Sequence, residues 1–370
     1  MRSPSVVACC FAALITLMGS VVAAEPTLRW SASGSFESFV AADLLGHGAV
    51  VVEALHTSDS GASLRAEFNT ETLTLEAGRR FARGEVRGGL RGELGAAQVL
   101  GDVYIDGALR DDAGIFASYA GAYVEAARWL GSAHTLRLHA QARRWFFGSP
   151  RGSLALLPQV GWTSTGTASY AYWRVRHDAS FSESHRRFER IRGFGFGGAA
   201  DAMWRDDTTP WGFASIANLP ARVSTKLGLW LRAGAPLRDG LRVQAHGRAL
   251  WLHGADDLSR PRVGGLSAPF VEPLAGLPWA VSRPDRMAHL DVALAARVRG
   301  AHELGVGVQG AVVDDIHAEG PLAGAYLFAD GRWGPWQLDV RLGRSLTANP
   351  RAPALTAHIG VGWAITRTRR

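Results

Sequence analysis

After residue 24 the chain contains no cysteine; its two, Cys9 and Cys10, both lie in the first segment. An exported chain without cysteine is not a disulfide scaffold and has no thiolate metal site or thiol nucleophile. Long apolar runs are missing as well. Beyond the first segment no stretch reaches the roughly 18 uninterrupted apolar residues that a spanning helix needs. Lysine is nearly absent: Lys226 stands alone, and arginine supplies the other 39 of 40 basic side chains. There is no long amphipathic helix, no charge-run tail and no linker that would divide the chain into domains. The first segment has the three parts of a secretory signal: Arg2, an apolar stretch from Val6 to Met18, and small residues in Val22-Ala23-Ala24. Residues 1–24 are therefore predicted to be a signal peptide cleaved near Ala24, and residues 25–370 one exported domain.

What the exported part has is alternation. From Leu241 to Trp251 the apolar residues Leu241, Val243, Ala245, Ala249 and Trp251 alternate with Arg242, Gln244, His246 and Arg248. Successive side chains of a strand point to opposite faces, so one face is oily and the other cationic. The pattern recurs. Leu290, Val292, Leu294, Ala296 and Val298 alternate with His289, Asp291, Arg297 and Arg299. Leu304, Val306, Val308 and Val312 oppose Glu303, Gly305, Gly307 and Gln309. Trp336, Leu338, Val340 and Leu342 oppose Gln337, Asp339, Arg341 and Gly343, and the final stretch from Leu355 to Ile365 follows suit. The first half is noisier, but Leu136, Leu138, Ala140 and Ala142 oppose Arg137, His139, Gln141 and Arg143.

Repeated alternation behind a signal peptide predicts an all-β fold, an antiparallel up-and-down transmembrane β-barrel. At ~20 residues per strand and connection, residues 25–370 give about 16 to 18 strands. Short turns are expected near Gly131-Ser132, Gly234 to Gly240, Gly300-Ala301 and Trp333 to Pro335. Longer loops are expected at Asp178 to Phe194, His253 to Met287 and Thr347 to Pro353, all on the opposite rim. Trp129, Trp145, Phe146, Phe147, Trp162, Tyr172, Trp173, Trp230, Trp251, Trp333, Trp336 and Trp363 fall near predicted strand ends and are read as interfacial girdles.

Catalytic and metal chemistry find little support. His134, His139, His246, His289 and His358 lie mostly on the polar face or in turns without a repeating serine partner, so no enzyme is expected. Asp314-Asp315 with His317, Asp256-Asp257 with His253, and Asp206-Asp207 read as solvated loop acids rather than metal sites, and no cofactor is expected. Gly195-Phe196-Gly197-Gly198 lacks the strand-then-helix context of a nucleotide loop. The informative set is the polar-face series Arg137, Arg143, Arg242, Gln244, His246, Arg248, Asp291, Arg297, Arg299, Asp339 and Arg341, read as lumen-lining. Two readings of it stay open. Arginines focused in a narrow channel favour anions, whereas the acids Glu85, Glu93, Asp291, Glu303 and Asp339 could neutralise them as a cross-strand ladder. The net charge of +7 fits a basic lumen or contact with anionic lipid, and nucleic acid is not an expected partner.

The closing segments Gly334-Pro335-Trp336-Gln337-Leu338-Asp339-Val340 and Ile359-Gly360-Val361-Gly362-Trp363 resemble the last hairpin of the bacterial surface antigen barrels, which include outer-membrane insertases and two-partner secretion pores. Val263-Gly264-Gly265-Leu266 lies about where those barrels begin an inward-folded loop bearing an Arg-Gly-Phe or Arg-Gly-Tyr motif. The motif itself is absent there, and Ile191-Arg192-Gly193-Phe194 has its letters too early in the chain. With strands expected soon after Glu25, the periplasmic transport-associated domains usual in that family are not expected, and the residues after Trp363, Ala-Ile-Thr-Arg-Thr-Arg-Arg, depart from its C-terminal aromatic pattern. The expectation is an outer-membrane conduit, either for export of an anionic polymer such as polysaccharide or as an anion-favouring porin. A protein-translocating barrel is the alternative, and a surface enzyme or adhesin comes third. Expected partners are outer-membrane lipid and lipopolysaccharide, the barrel assembly machinery and a periplasmic export partner.

Overall fold

The computed structural model describes residues 27–40, 46–58, 60–69, 72–93, 104–105, 108–109, 115–148, 156–177, 191–213, 216–256, 258–263, 271–272, 274–275, 283–299, 302–315, 318–347 and 355–368. The predicted signal peptide lies outside the described residues. The first half of the sheet contains β1 (Thr27–Val40), β2 (Gly46–Thr57), β3 (Ala62–Asn69), β4 (Thr72–Phe81), β5 (Gly84–Glu93), β6 (Phe116–Leu130), β7 (His134–Gly148) and β8 (Trp162–His177). The second half contains β9 (Ile191–Arg205), β10 (Val223–Arg238), β11 (Leu241–His253), β12 (Arg286–Arg299), β13 (His302–Asp315), β14 (Ala318–Trp333), β15 (Trp336–Ser345) and β16 (Leu355–Thr368).

These strands follow one another in an antiparallel meander that closes. The closing pair runs from Thr27 opposite Thr368 to Val40 opposite Leu355, so the sheet has no free edge to aggregate. Sixteen strands is the lower end of the expected range, and a barrel of that size leaves an aqueous interior. No helix of the described residues is long and apolar enough to cross a membrane; the strands do the crossing.

The oily face points outward. Leu138 and Val298 are 64% and 63% exposed, and Leu136, Leu227, Leu229, Leu231, Leu290, Leu304, Val306, Val308, Val312, Leu327 and Ile359 are exposed around the same wall. An apolar belt of this extent far exceeds the few hundred Å² that a water-soluble monomer tolerates. Hydrocarbon is the solvent that suits it.

With an even strand count both ends of the sheet lie on one rim, together with the connections at 58–61, 82–83, 131–133, 239–240, 300–301 and 334–335. Gly240 (φ +74°) and Gly334 (φ +56°) supply the left-handed conformation these tight turns need. The other rim carries the connections 94–115, 149–161, 206–222, 254–285 and 346–354. Two expectations need correction. The 178–190 connection leaves from the short-turn rim, because strand parity and not loop length decides the rim, and residues 191–194 already belong to β9. The predicted turn from Gly234 to Gly240 shrinks to 239–240, because β10 continues past Gly234 with a register shift between Pro236 and Arg238.

The aromatic girdle also divides in two. Phe146, Trp162, Trp251, Trp333 and Trp336 are exposed on the outer face. By strand parity Trp129, Trp145, Phe147, Trp173 and Trp230 point inward. Each takes an interior contact: Arg80 lies over the Trp129 ring at 4.7 Å, Trp145 stacks on Phe147 at 5.9 Å, and Trp173 stacks on Trp230 at 4.4 Å. Proximity to a strand end fixes depth but not face, which is why these positions were misread.

Candidate functional site: the lumen wall and its inserted loop

The inner face of β11 to β14 is not uniformly polar. Leu250, Met287, Ala311, Val313 and Leu322 point inward and are buried in one cluster with Val263 and Leu274 of the 254–285 connection. Ala275 packs with Ala293, Ala295, Tyr326 and Phe328 in a second cluster. Part of the longest connection therefore folds into the barrel and sits on its wall. Small residues make the seat. A Cβ at Gly324 would collide with the Ala275 backbone, and Gly305 and Gly307 lie beneath the rings of Phe328 and Tyr326. The Ala275 amide donates to Gln309 Oε1 at 2.7 Å, while Gln309 Nε2 and the Tyr326 hydroxyl donate to Asp291 at 3.0 and 2.8 Å. Apolar burial holds the loop and these hydrogen bonds fix its register.

The start of the same loop is latched at the long-loop rim. Arg205, the last residue of β9, donates to both oxygens of Asp256 at 2.6 and 2.9 Å, and both side chains are fully buried. Trp211 Nε1 and Ser259 Oγ donate to the same carboxylate at 2.9 and 2.7 Å. Burial pushes the Asp256 carboxyl up, but these donors and the Arg205 charge outweigh it and hold the carboxyl below its usual range. Trp211 joins Ile115, Ala117, Trp145, Phe147, Leu157 and Leu258 in an apolar cluster that ties four connections and strand ends together. A second fork, Arg260 to Asp285 at 2.8 Å, closes the base of the loop.

The wall from β2 to β7 has another character. Arg65 joins Glu53 at 2.8 Å and also contacts Glu67. Arg87 reaches Glu125 at 2.6 Å and Glu76 at 3.7 Å, and Arg137 adds a contact to Glu125 at 3.2 Å. The Tyr123 hydroxyl donates to Glu76. Arg91 donates to Thr74 at 3.3 Å and lies over the Tyr123 ring. Charges are shared across six neighbouring strands here, through the acids Glu53, Glu67, Glu76 and Glu125 that the sequence reading of a ladder did not name.

The eleven lumen candidates fall in five settings. Arg137 belongs to the ladder, and Arg143 donates to Gln141 at 2.8 Å and lies 4.4 Å over the Tyr119 ring. Arg242 pairs with Glu303 at 2.7 Å and donates to Gln244 at 2.6 Å, and Arg341 pairs with Asp339 at 2.8 Å, with His358 4.0 Å from the same acid. Asp291 anchors Tyr326 and Gln309 beneath the loop. Arg297 and Arg299 are exposed beside the 300–301 turn, where the register shifts; they stand at the short-turn rim, away from mid-lumen. His246 and Arg248 share the wall with residues that alternation alone did not single out. Trp230 lies opposite Arg248, Arg232 opposite His246, and Arg248 opposite His289 in the sheet register. The rings of His246 and His289 are 6.5 Å apart. Also missed were Trp173, Asp201 with its Lys226 partner at 2.5 Å, and the Arg205–Asp256 latch. A long-range pair such as Arg205 with Asp256 leaves no local periodic signal.

Of the loop acids considered for metal, Asp256 is engaged by the latch, and Asp314 lies 3.9 Å from Arg286. Asp257 and His317 lie outside the described residues. Among the described residues no group of three His, Cys, Asp or Glu side chains is arranged to hold a metal ion. A shallow apolar depression of about 810 Å³ lies on the outer wall, floored by Ala126, Ala140, Gly166, Ala168, Ala200 and Ala202. It faces the lipid and not the lumen.

No family model and no curated sequence matches this chain. Solved structures do. The barrel of BamA from Haemophilus ducreyi, crystallised without POTRA domains 1–3, superposes with a TM-score of 0.63 at 10% identity, over 91% of this chain and 70% of that one. CdiB from Acinetobacter baumannii gives 0.54 at 10% identity, over 91% of this chain and 60% of that one, so this chain spans less than two thirds of CdiB. The fold is that of the outer-membrane transmembrane β-barrels, surface-antigen-type barrels among them.

Proposed function

We propose that this barrel is a passive conduit of the outer membrane, narrowed by the inserted part of the 254–285 connection, which serves export of an anionic polymer such as a polysaccharide together with a periplasmic partner. The carrying observation is a sixteen-strand closure around a charged wall, with Arg232 and Arg248 on neighbouring strands of the stretch that the ion-pair ladder does not cover. Such a barrel is wide enough for an aqueous path, and its loop seat is a ready constriction. The ladder on β2 to β7 balances its own charge, so anion preference rests on the β10–β12 wall. Residues 1–24 act as the export signal in this reading, and the lipid-facing belt contacts outer-membrane lipid and lipopolysaccharide after insertion by the assembly machinery.

Planar-bilayer recording tests the conduit. The purified barrel should show a small conductance with anion preference, and exchange of Arg232 and Arg248 for glutamate should move the reversal potential toward cation preference. Absence of conductance from a folded barrel, also after the loop is dislodged, would reject the conduit. Unaltered surface polysaccharide in a deletion strain would reject that cargo.

A second reading, protein translocation or insertion, is favoured by the likeness to BamA and CdiB and by the inward-folded part of the 254–285 connection, which starts about where surface antigen barrels begin theirs, though without their motif. Depletion of the protein should then lower the surface level of particular proteins while polysaccharide stays constant.

A further inference from the structure

We propose that the inner wall of β8 to β12 carries a binding site for an acidic saccharide, built from Trp173, Trp230, Arg232 and Arg248. This rests on the conduit reading and gives it a recognition element. Trp173 of β8 and Trp230 of β10 lean from opposite sides onto β9, where Gly195 and Gly197 make room. A Cβ at either glycine would lie 2.5 Å from the nearest ring atom. The two indoles stack at 4.4 Å with 28° between their planes. Both are half-buried, so part of the indole pair stays accessible on the inner wall.

Cationic side chains border that surface. Arg232 is the next inward residue after Trp230 on β10, and Arg248 lies directly opposite Trp230 on β11. His246 stands opposite Arg232, and His289 opposite Arg248. Two acids share this stretch of wall: Asp201, which pairs with Lys226 and also attracts Arg248, and Asp291, which lies opposite His246. Lys226, Arg232 and Arg248 outnumber them, so the local charge count is positive beside an apolar plate. A sugar ring offers C–H bonds to an indole face, and its carboxylate or sulfate suits a guanidinium. A neutral sugar would lose the second half of this recognition and an inorganic anion the first. Nucleic acid could also use rings and arginines, but it prefers rings free to alternate with bases, whereas these two are stacked on each other.

Isothermal titration calorimetry of the detergent-solubilised barrel tests the site without requiring conduction. The probes are an oligogalacturonate, a neutral maltooligosaccharide of equal length and a single-stranded oligodeoxynucleotide. The oligogalacturonate should bind, and the neutral chain should bind at least about tenfold more weakly, as should the Arg232→Gln/Arg248→Gln variant with the acidic chain. Trp173→Phe/Trp230→Phe keeps aromatic bulk and should lose roughly fivefold. Heat-modifiable gel migration establishes that each variant remains a folded barrel. Equal binding of acidic and neutral chains, undiminished binding by a folded double-glutamine variant, or tighter binding of the oligonucleotide would overturn the proposal. Saccharide binding by a barrel that never conducts would leave the site standing and reject the conduit.

Discussion

Two stretches of the same wall put their inward faces to opposite uses. From β2 to β7 the inward positions hold long ionic side chains such as Arg65, Arg87, Glu125 and Arg137, which satisfy one another across strands. From β11 to β14 many inward positions are small or apolar, including Leu250, Ala293, Ala295, Gly305, Gly307, Ala311 and Gly324, and a loop is seated there. Strand geometry is the same in both. What differs is whether the inner face meets water or another piece of the chain, and the side chains follow that partner. In the proposed conduit the first stretch would line the path and the second would narrow it.

The largest expected effect breaks the latch on the loop-bearing side. Arg205→Ala leaves the Asp256 carboxylate buried without its cation and should cost about 3–5 kcal/mol of local stability. Proteolysis at the long-loop rim would show faster cleavage between residues 254 and 263. Next comes the seat itself. Val263→Asp forces a charge into an apolar cluster at a cost of several kcal/mol, so the loop should leave the wall and the conductance should rise. A pH series sharpens the same contrast. The folded Asp256 value lies below its unfolded one, so its contribution to stability is present above the ordinary carboxylate range and is lost as pH falls through the lower folded value. Acid should therefore loosen the latch, with hydrogen exchange at residues 254–263 rising below about pH 4. Arg205→Ala should lack this transition. The smallest effect belongs to the ladder: Arg137 is 35% exposed, and Arg137→Gln should change thermal stability by no more than about 1 kcal/mol.

Much of the barrel was legible in its sequence because lipid on one side and water on the other impose a period of two. Leu290 to Val298 and Leu304 to Val312 could be assigned to the outer face on that basis. The pattern became ambiguous where a third environment, protein, covered the inner face. Leu250 sits next to outward-facing Trp251, yet it points inward and is 1% exposed under the loop. Trp173 and Trp230 were misplaced for a related reason, since an aromatic residue near a strand end suits a lipid interface and an inner stack equally well. The ionic ladder was half visible. Arg242, Glu303, Asp339 and Arg341 could be named from alternation, but which pairs form depends on register, and register is set by turns and bulges that span many residues.

The central claim is that Val263, Leu274 and Ala275 of the 254–285 connection lie inside the barrel on a seat made by β11 to β14. Ala275→Cys tests it directly in a chain whose own cysteines, Cys9 and Cys10, precede the predicted cleavage point. Maleimide labelling of Cys at 275 should be slow in the otherwise native barrel. It should become fast when Gly324→Leu is added, because a side chain at 324 occupies the space of the Ala275 backbone. Equally fast labelling in both proteins would contradict a seated loop.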